Sequence, residues 1–240
     1  MDNLDRETNP ETTLERLSDE FLELINFKNL ESILKERVYK YANKYNQEWL
    51  LENINNAVEK EKTFIKKVIN AYMNWSKEND PVVLWDIDDT IGRLQGERWG
   101  YRPSMPSILQ FLKEKFPNIE NGILSDRDHV AEQISDGKLN QLQGLINFDH
   151  IHSTRSLDWT ETTDEQDREQ RKAFKEAKKT GVMEELEYLS IGGYMKLKIV
   201  KDLKKQGVNA KSIDDYDLGK TLGGDAINVW AEMPKDEYCE

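Results

Sequence analysis

Cysteine is nearly absent: Cys239, the penultimate residue, is the single one in 240 residues. An internal disulfide is therefore excluded, and so is a zinc centre built on cysteine pairs. Histidine is scarce too, with three in all. His150 and His152 alternate on a strand candidate and so share a face, but no third ligand is spaced nearby. Pairing, or exposure at the strand end, is expected there rather than a metal centre. No apolar run approaches the roughly 20 residues of a membrane-spanning helix. The opening "MDNLDRETNPETT" is polar and acidic and carries no secretory hydrophobic core. A soluble, cytoplasmic protein is expected.

Positive charge is also in short supply. Lys and Arg total 34 against 46 Asp and Glu, for a net charge of −12. Residues 1–80 carry −4 of this and the rest −8, so neither part suits general binding to a phosphate backbone. A nucleic-acid partner is not expected, although a local basic groove stays open. The length fits one medium domain with an appendage, or two small domains, and suffices for a sizeable core.

What is present changes along the chain. Residues 1–12 read as a disordered tail. Residues 13–80 read as a helical region. Leu14, Leu17, Phe21, Leu24 and Ile25 fit one helical face, and Leu50, Leu51, Ile54, Val58, Ile65, Val68, Ile69 and Tyr72 recur at steps of three and four. This predicts two or three amphipathic helices, acting as a brace, an oligomerisation face or a partner-binding module. "SKENDP" breaks the pattern before the first strand.

From residue 81 to about 233, strand and helix signals alternate, which predicts a parallel sheet flanked by helices. Strands are expected at Val82–Trp85, at "NGILS", at "FDHIHST", at "NAKSIDD" and at "DAINVWAE". A glycine-bearing loop is expected after Thr90, and helices over "SILQFLKEKF", from about His129 to Ile146, and from about Met195 to Gln206. Residues 156–190 are polar, with ten acids and six bases, and read as a solvated helical insertion, with a small cap or docking arm as the alternative. Residues 234–240 form a C-terminal tail.

The stretch "VVLWDIDDTIG" poses the functional question. Three carboxylates, Asp86, Asp88 and Asp89, follow directly on a buried strand, and burying like charges together is costly unless something positive offsets it. Two other strand candidates also end in polar groups, one at Ser125 and one at Asp214 and Asp215. Ligands of open α/β sheets bind beyond the carboxyl ends of the strands. If the strands are parallel, these groups meet on one rim and offer hard oxygen donors of the kind Mg²⁺ takes, with a lysine near 196 as a second source of positive charge.

With these motifs in hand, "DIDDT", "GILS", a lysine opening a helix and "SIDD" together resemble the haloacid dehalogenase (HAD) superfamily of phosphatases, over about residues 82–231. The resemblance implies a Rossmann-like α/β fold and a Mg²⁺-dependent phosphohydrolase working through an aspartyl-phosphate. It implies Asp86 as nucleophile and Asp88 as general acid and base, the latter also giving its backbone carbonyl to the metal. Ser125 would hold a phosphoryl oxygen, with Asp126 and Arg127 beside it at the following helix start. Lys196 would neutralise the phosphoryl group, and Asp214 and Asp215 would complete the metal shell.

Several roles stay open at this point. Lys198 is the alternative lysine, although Ile199, Val200 and Leu203 give Lys196 the better packing register. Asp217 is a candidate to support the metal ligands. Asp89 is expected to be structural. Ser125 would also serve as a helix N-cap. Arg127 either touches substrate phosphate or pairs with Asp126 or Asp128. Trp99 and Tyr101 either form a lid or pack their loop. The short gap between Thr90 and Ser125 leaves room for at most a small cap, a feature of family members that act on large or exposed substrates. The substrate class stays unassigned among phosphoproteins, polynucleotide ends and small phosphomonoesters. A phosphotransferase would share every motif, and a non-catalytic binding protein could use the same fold.

Overall fold

Pro81–Trp85 forms the central strand, β1, and all five of its residues are buried. A strand covered on both faces needs apolar side chains in both directions, which is why this one is an unbroken apolar run. Val83 and Trp85 point into one core, and Val82 and Leu84 into another. The computed structural model describes residues 10–27, 54–95, 98–127, 129–154 and 191–229, with single positions at 31, 32, 35, 36, 172, 175, 176 and 179. Of the polar stretch 156–190 only Lys172, Lys175, Glu176 and Lys179 are described, and they are helical; the expected C-terminal tail lies outside the described residues.

In chain order the elements are α1 (Pro10–Leu24), α2 (Ile54–Trp75), β1, β2 (Gly92–Gln95), β3 (Arg98–Tyr101), α3 (Ser107–Lys115), β4 (Glu120–Ser125), α4 (Val130–Asp136), β5 (Ile151–Ser153), α5 (Ile191–Lys205), β6 (Asn209–Asp214), α6 (Gly219–Leu222) and β7 (Ala226–Asn228). Five strands form one sheet in the order β5-β4-β1-β6-β7, and every pairing is parallel. The chain builds outward from β1 through β4 to β5, then returns to the other side of β1 for β6 and β7. The order therefore reverses between β1 and β6. In such Rossmann-like sheets a crevice opens at this reversal, beyond the carboxyl ends of the strands.

One face of the sheet is covered by α1, α2 and α3, the other by α5. Helix α2 buries Val58, Phe64, Ile65, Val68, Ile69, Tyr72 and Trp75. Their spacing of three and four residues is that of one helical face. Each large apolar side chain so buried is worth roughly 1.5–3 kcal/mol of transfer free energy. Polar contacts then fix how α2 sits. The Tyr72 hydroxyl donates to Asn121 Oδ1 on β4, and Trp85 Nε1 on β1 donates to Tyr72 at 3.0 Å and to Asn121 at 3.2 Å. Glu61 of α2 accepts from Arg102 Nε at 2.9 Å and from the Ser104 amide at 3.0 Å, all within the core. Among the described residues no helix is long and apolar enough to cross a membrane.

Four local expectations need correction. Helix α1 starts at Pro10, three residues inside the expected tail. The loop after Thr90 is a two-stranded antiparallel hairpin, β2–β3. The helix expected from His129 to Ile146 stops at Asp136. A Cβ at Gly137 would lie 2.9 Å from the Gln133 Cα, so this glycine lets the chain fold back on the helix, and Leu139, Leu142 and Ile146 reach the core from turns and a short 3-10 helix, Asn140–Leu142, instead. The last long helix begins at Ile191, four residues before Met195. Two glycines conceal its first turn from a reading of propensity.

Candidate functional site

Asp86 follows β1 directly, and its amide donates to the Ile213 carbonyl at 2.9 Å, continuing the pairing with β6. That register sets Asp86 beside Asp214 at the point where the sheet order reverses. Lys196 reaches the same point from the second turn of α5. Its Nζ lies 2.7 Å from Asp86 Oδ1, and 3.2 and 3.4 Å from Asp214 Oδ2 and Oδ1. All three side chains are about 2% exposed or less. Lys198 is exposed on the same helix, so Lys196 is the lysine that meets the carboxylates.

Asp215 joins them. One oxygen each from Asp86, Asp214 and Asp215 lie within 4.8 Å of one another. Opposite ligands of a single ion are about 4 Å apart for Mg²⁺ and about 5 Å apart for Ca²⁺, so the spread fits one hard divalent cation. The donor chemistry fits too, being carboxylate oxygen throughout. Asp214 Oδ1 accepts from the Tyr216 amide at 2.9 Å. Asp214 Oδ2 faces Lys196 without hydrogen-bond alignment and has no other such partner among the described residues.

Charge is unbalanced here. Among the described residues, the three clustered carboxylates have one ammonium, in contact with Asp86 and Asp214, and Asp126 is close enough to be felt by it. Burial raises the Asp86 carboxyl well above the usual range; Lys196 opposes this, while Asp214 and Asp215 add to it. Asp214 is pushed up to about 7, again by burial first. Burial by itself would lower the Lys196 ammonium, but the Asp214 and Asp86 charges more than reverse this and raise it. Burial outweighs the attraction of the lysine at both carboxyls, so their charged forms are disfavoured. A bound cation would correct this.

Ser125 ends β4, is fully buried, and its Oγ accepts from the Arg127 amide at 3.2 Å. Asp126 Oδ1 accepts from Thr154 Oγ1 at 2.6 Å. Its other oxygen faces α5, where a Cβ on Gly192 would fall 2.4 Å away. Gly192 therefore lets the lysine-bearing helix sit against Asp126. Asp88 lies apart from the three-carboxylate cluster. Both of its oxygens accept from Arg127, Oδ2 from Nε at 2.8 Å and Oδ1 from Nη2 at 2.6 Å.

The remaining candidates fall elsewhere. Asp89 adopts φ 62°, with its amide on the Gly92 carbonyl, a turn that aspartate tolerates better than most residues. Asp217 pairs with Lys220 at 3.5 Å near the surface. His150 Nε2 lies 3.1 Å from Glu120 on the edge of the sheet, and burial lowers the His152 imidazole. Tyr101 is buried, donates to the Lys138 carbonyl at 3.3 Å and is pushed up to about 12 by burial, so it packs its hairpin. The Trp99 side chain lies outside the described residues. Sequence reasoning missed Tyr216, whose ring lies 4.9 Å from Lys196 Nζ, and Asn228, whose side chain donates to the Asp215 carbonyl at 2.7 Å. Tyr216 stands next to the acidic pair and was there to be found; Asn228 comes from a neighbouring strand and carried no signal. Comparison of the chain with family models, with curated proteins and with solved structures gives no match.

Proposed function

We propose that the chain is a Mg²⁺-dependent phosphohydrolase of the haloacid dehalogenase type, working through an aspartyl-phosphate on Asp86. The observation that carries this is a wholly buried carboxylate at a strand end, 2.7 Å from a wholly buried lysine and flanked by two more carboxylates. Such a cluster is costly to fold, and apolar residues would serve a purely structural core better. Asp86, Asp214 and Asp215 would hold the cation through side-chain oxygens, and Asp88 through its backbone carbonyl. Once bound, the ion adds positive charge against the phosphoryl oxygens.

The chemistry of the chain's own groups follows. An Asp86 oxygen attacks phosphorus while the bond to the leaving oxygen breaks, and that oxygen takes a proton from Asp88. Water then attacks the same phosphorus and gives its proton to Asp88. The bond to Asp86 breaks, its electron pair returns to the carboxylate, and phosphate departs. Lys196 offsets the charge of the phosphoryl group, while the Ser125 hydroxyl and the amides that follow it hold its oxygens. The protein is taken as cytoplasmic, and its substrate as a phosphate monoester.

Release of phosphate from p-nitrophenyl phosphate tests this. It is expected with Mg²⁺ and not after chelation. Asp86→Asn is expected to abolish it, and Asp88→Asn to slow it by about 10²–10⁴-fold. Turnover by Asp86→Asn at the wild-type rate would exclude a covalent role for that residue. Transfer of the phosphoryl group to an added alcohol in place of water would make the protein a phosphotransferase.

A further inference from the structure

The two oxygens of Asp126 turn to two different parts of the chain. Oδ1 accepts from Thr154 Oγ1 at 2.6 Å, just past β5, where the Thr154 amide also donates to the Ser125 carbonyl at 3.0 Å. Oδ2 faces the first turn of α5, where a Cβ on Gly192 would fall 2.4 Å from it and 3.2 Å from the Asp126 Cγ. Thr154 and Gly192 stand on either side of residues 155–190 in the chain. One carboxylate, placed directly after β4, therefore bridges the end of β5 and the start of α5.

Helix α5 is the one that carries Lys196. Gly192 lies one turn before Lys196, at a spacing that puts both on one face of the helix. The first amides of a helix lack partners within it and carry partial positive charge, so a carboxylate against that turn is held there. Glycine at the contact permits the closest backbone approach. From this footing Lys196 Nζ reaches Asp86 Oδ1 at 2.7 Å and Asp214 Oδ2 at 3.2 Å. The Lys196 side chain is buried and the Tyr216 ring lies 4.9 Å from its Nζ, so a shift of the helix is passed on to Nζ rather than absorbed by the stem. About an ångström of misplacement at a reacting group can cost about 10²-fold in rate. The Asp126 charge would repel a phosphoryl oxygen, which argues for a role toward the lysine and against one toward the phosphate.

We propose that Asp126 is a positioning residue: it fixes the first turn of α5 against the end of β4 and so sets Lys196 at its working distance from Asp86. Ser125 and Asp126, neighbours in the chain, then divide the work. Ser125 holds the phosphoryl group, and Asp126 holds the helix whose lysine neutralises it. The inference rests on the phosphohydrolase reading and adds a residue to it.

The test measures kcat for p-nitrophenyl phosphate with Mg²⁺, each rate divided by the folded fraction from circular dichroism. Asp126→Ala is expected to lower kcat by about ten- to hundredfold, the scale of a misplaced reacting group. Asp126→Asn, which keeps the shape and the oxygen that Thr154 meets, should stay within about fivefold of wild type, the range of one weakened hydrogen bond. Gly192→Ala adds a methyl that displaces either α5 or the carboxylate, and should lower kcat by about tenfold from a full turn away. In the Asp126→Ala background the same methyl has room and should cost less than about threefold; such non-additivity marks residues that act through one contact. If Asp126→Ala does not fold, Asp126→Ser takes its place in the cycle. Effects that multiply would mean that Asp126 meets substrate or ion by itself, and would overturn the proposal. So would a kcat within about threefold of wild type in Asp126→Ala, the result of a merely structural role. Absence of wild-type turnover would reject the phosphohydrolase reading and this inference with it. Wild-type turnover with unaffected variants would reject the inference alone.

Discussion

At the scale of single residues, Lys196 and Asp215 show how the site is balanced. Lys196 is the ammonium that Asp86 and Asp214 share, and Asp215 is the least buried of the three clustered acids. The Asp215 charge works against Asp86 and Asp214, pushing both carboxyls upward. Its removal has opposite effects on the two states of the site. Asp215→Asn is expected to leave the metal-free protein as stable as wild type or slightly more so. On the proposed reading it should also shrink the rise in melting temperature expected on adding Mg²⁺. Each tenfold loss of metal affinity takes about 1.4 kcal/mol from the stabilisation at a fixed excess of ion. Thermal unfolding with and without Mg²⁺ measures both effects. An undiminished Mg²⁺ shift in Asp215→Asn would place the ion away from this cluster. Lys196 was legible because of its helical register. Its contact with Asp214 was not, because that contact depends on how α5 meets β6.

At the scale of elements, helix α2 and the segment after the hairpin are joined by a buried ion pair. Arg102 and Glu61 are both below 5% exposed, the Arg102 guanidinium stacks 3.5 Å over the Phe64 ring, and its Nη1 reaches the Thr90 carbonyl at 3.4 Å. This ties α2 to the turn that follows Asp86 and Asp88. Removing one partner of a buried pair leaves the other uncompensated, at a cost of about 3–5 kcal/mol. Arg102→Met is expected to lose that much in urea unfolding. The double variant Arg102→Met with Glu61→Leu should recover most of it, because both charges then leave the core together. A loss of under about 1 kcal/mol in the single variant would mean that Glu61 finds water. The strands at 82–85, 120–125 and 209–214 were readable from their apolar runs and polar ends. The β2–β3 hairpin was not, because its pairing holds no long apolar run and three glycines suggested a loop.

For the whole molecule, the N-terminal helices and the sheet share one core. Val83, Trp85, Ile123 and Ile213 of the sheet pack in the same cluster as Phe64, Ile65, Val68 and Tyr72 of α2. Deleting residues 1–76 would uncover that face and strand the buried Trp85 and Asn121 groups without Tyr72. The fragment 77–240 is expected to aggregate, since a large contiguous apolar face seeks another. Gel filtration of the purified fragment checks this. A stable, monomeric, active fragment would show that the helices are dispensable for folding.

By itself the sequence determined the alternation of strand and helix, the acidic end of β1, and the candidate residues Asp86, Ser125, Lys196, Asp214 and Asp215. These are local properties: strand hydrophobicity, helical register and polar residues at strand ends follow from neighbours along the chain. Only the tertiary structure decided that α2 belongs to the sheet's core, that Gly192 brings α5 against Asp126, and that Arg127 takes both oxygens of Asp88. Those contacts join residues far apart in sequence, 39 positions in the case of Asp88 and Arg127. Side-chain reach, close backbone approach and the order of strands set them, and none of the three is written in a local pattern.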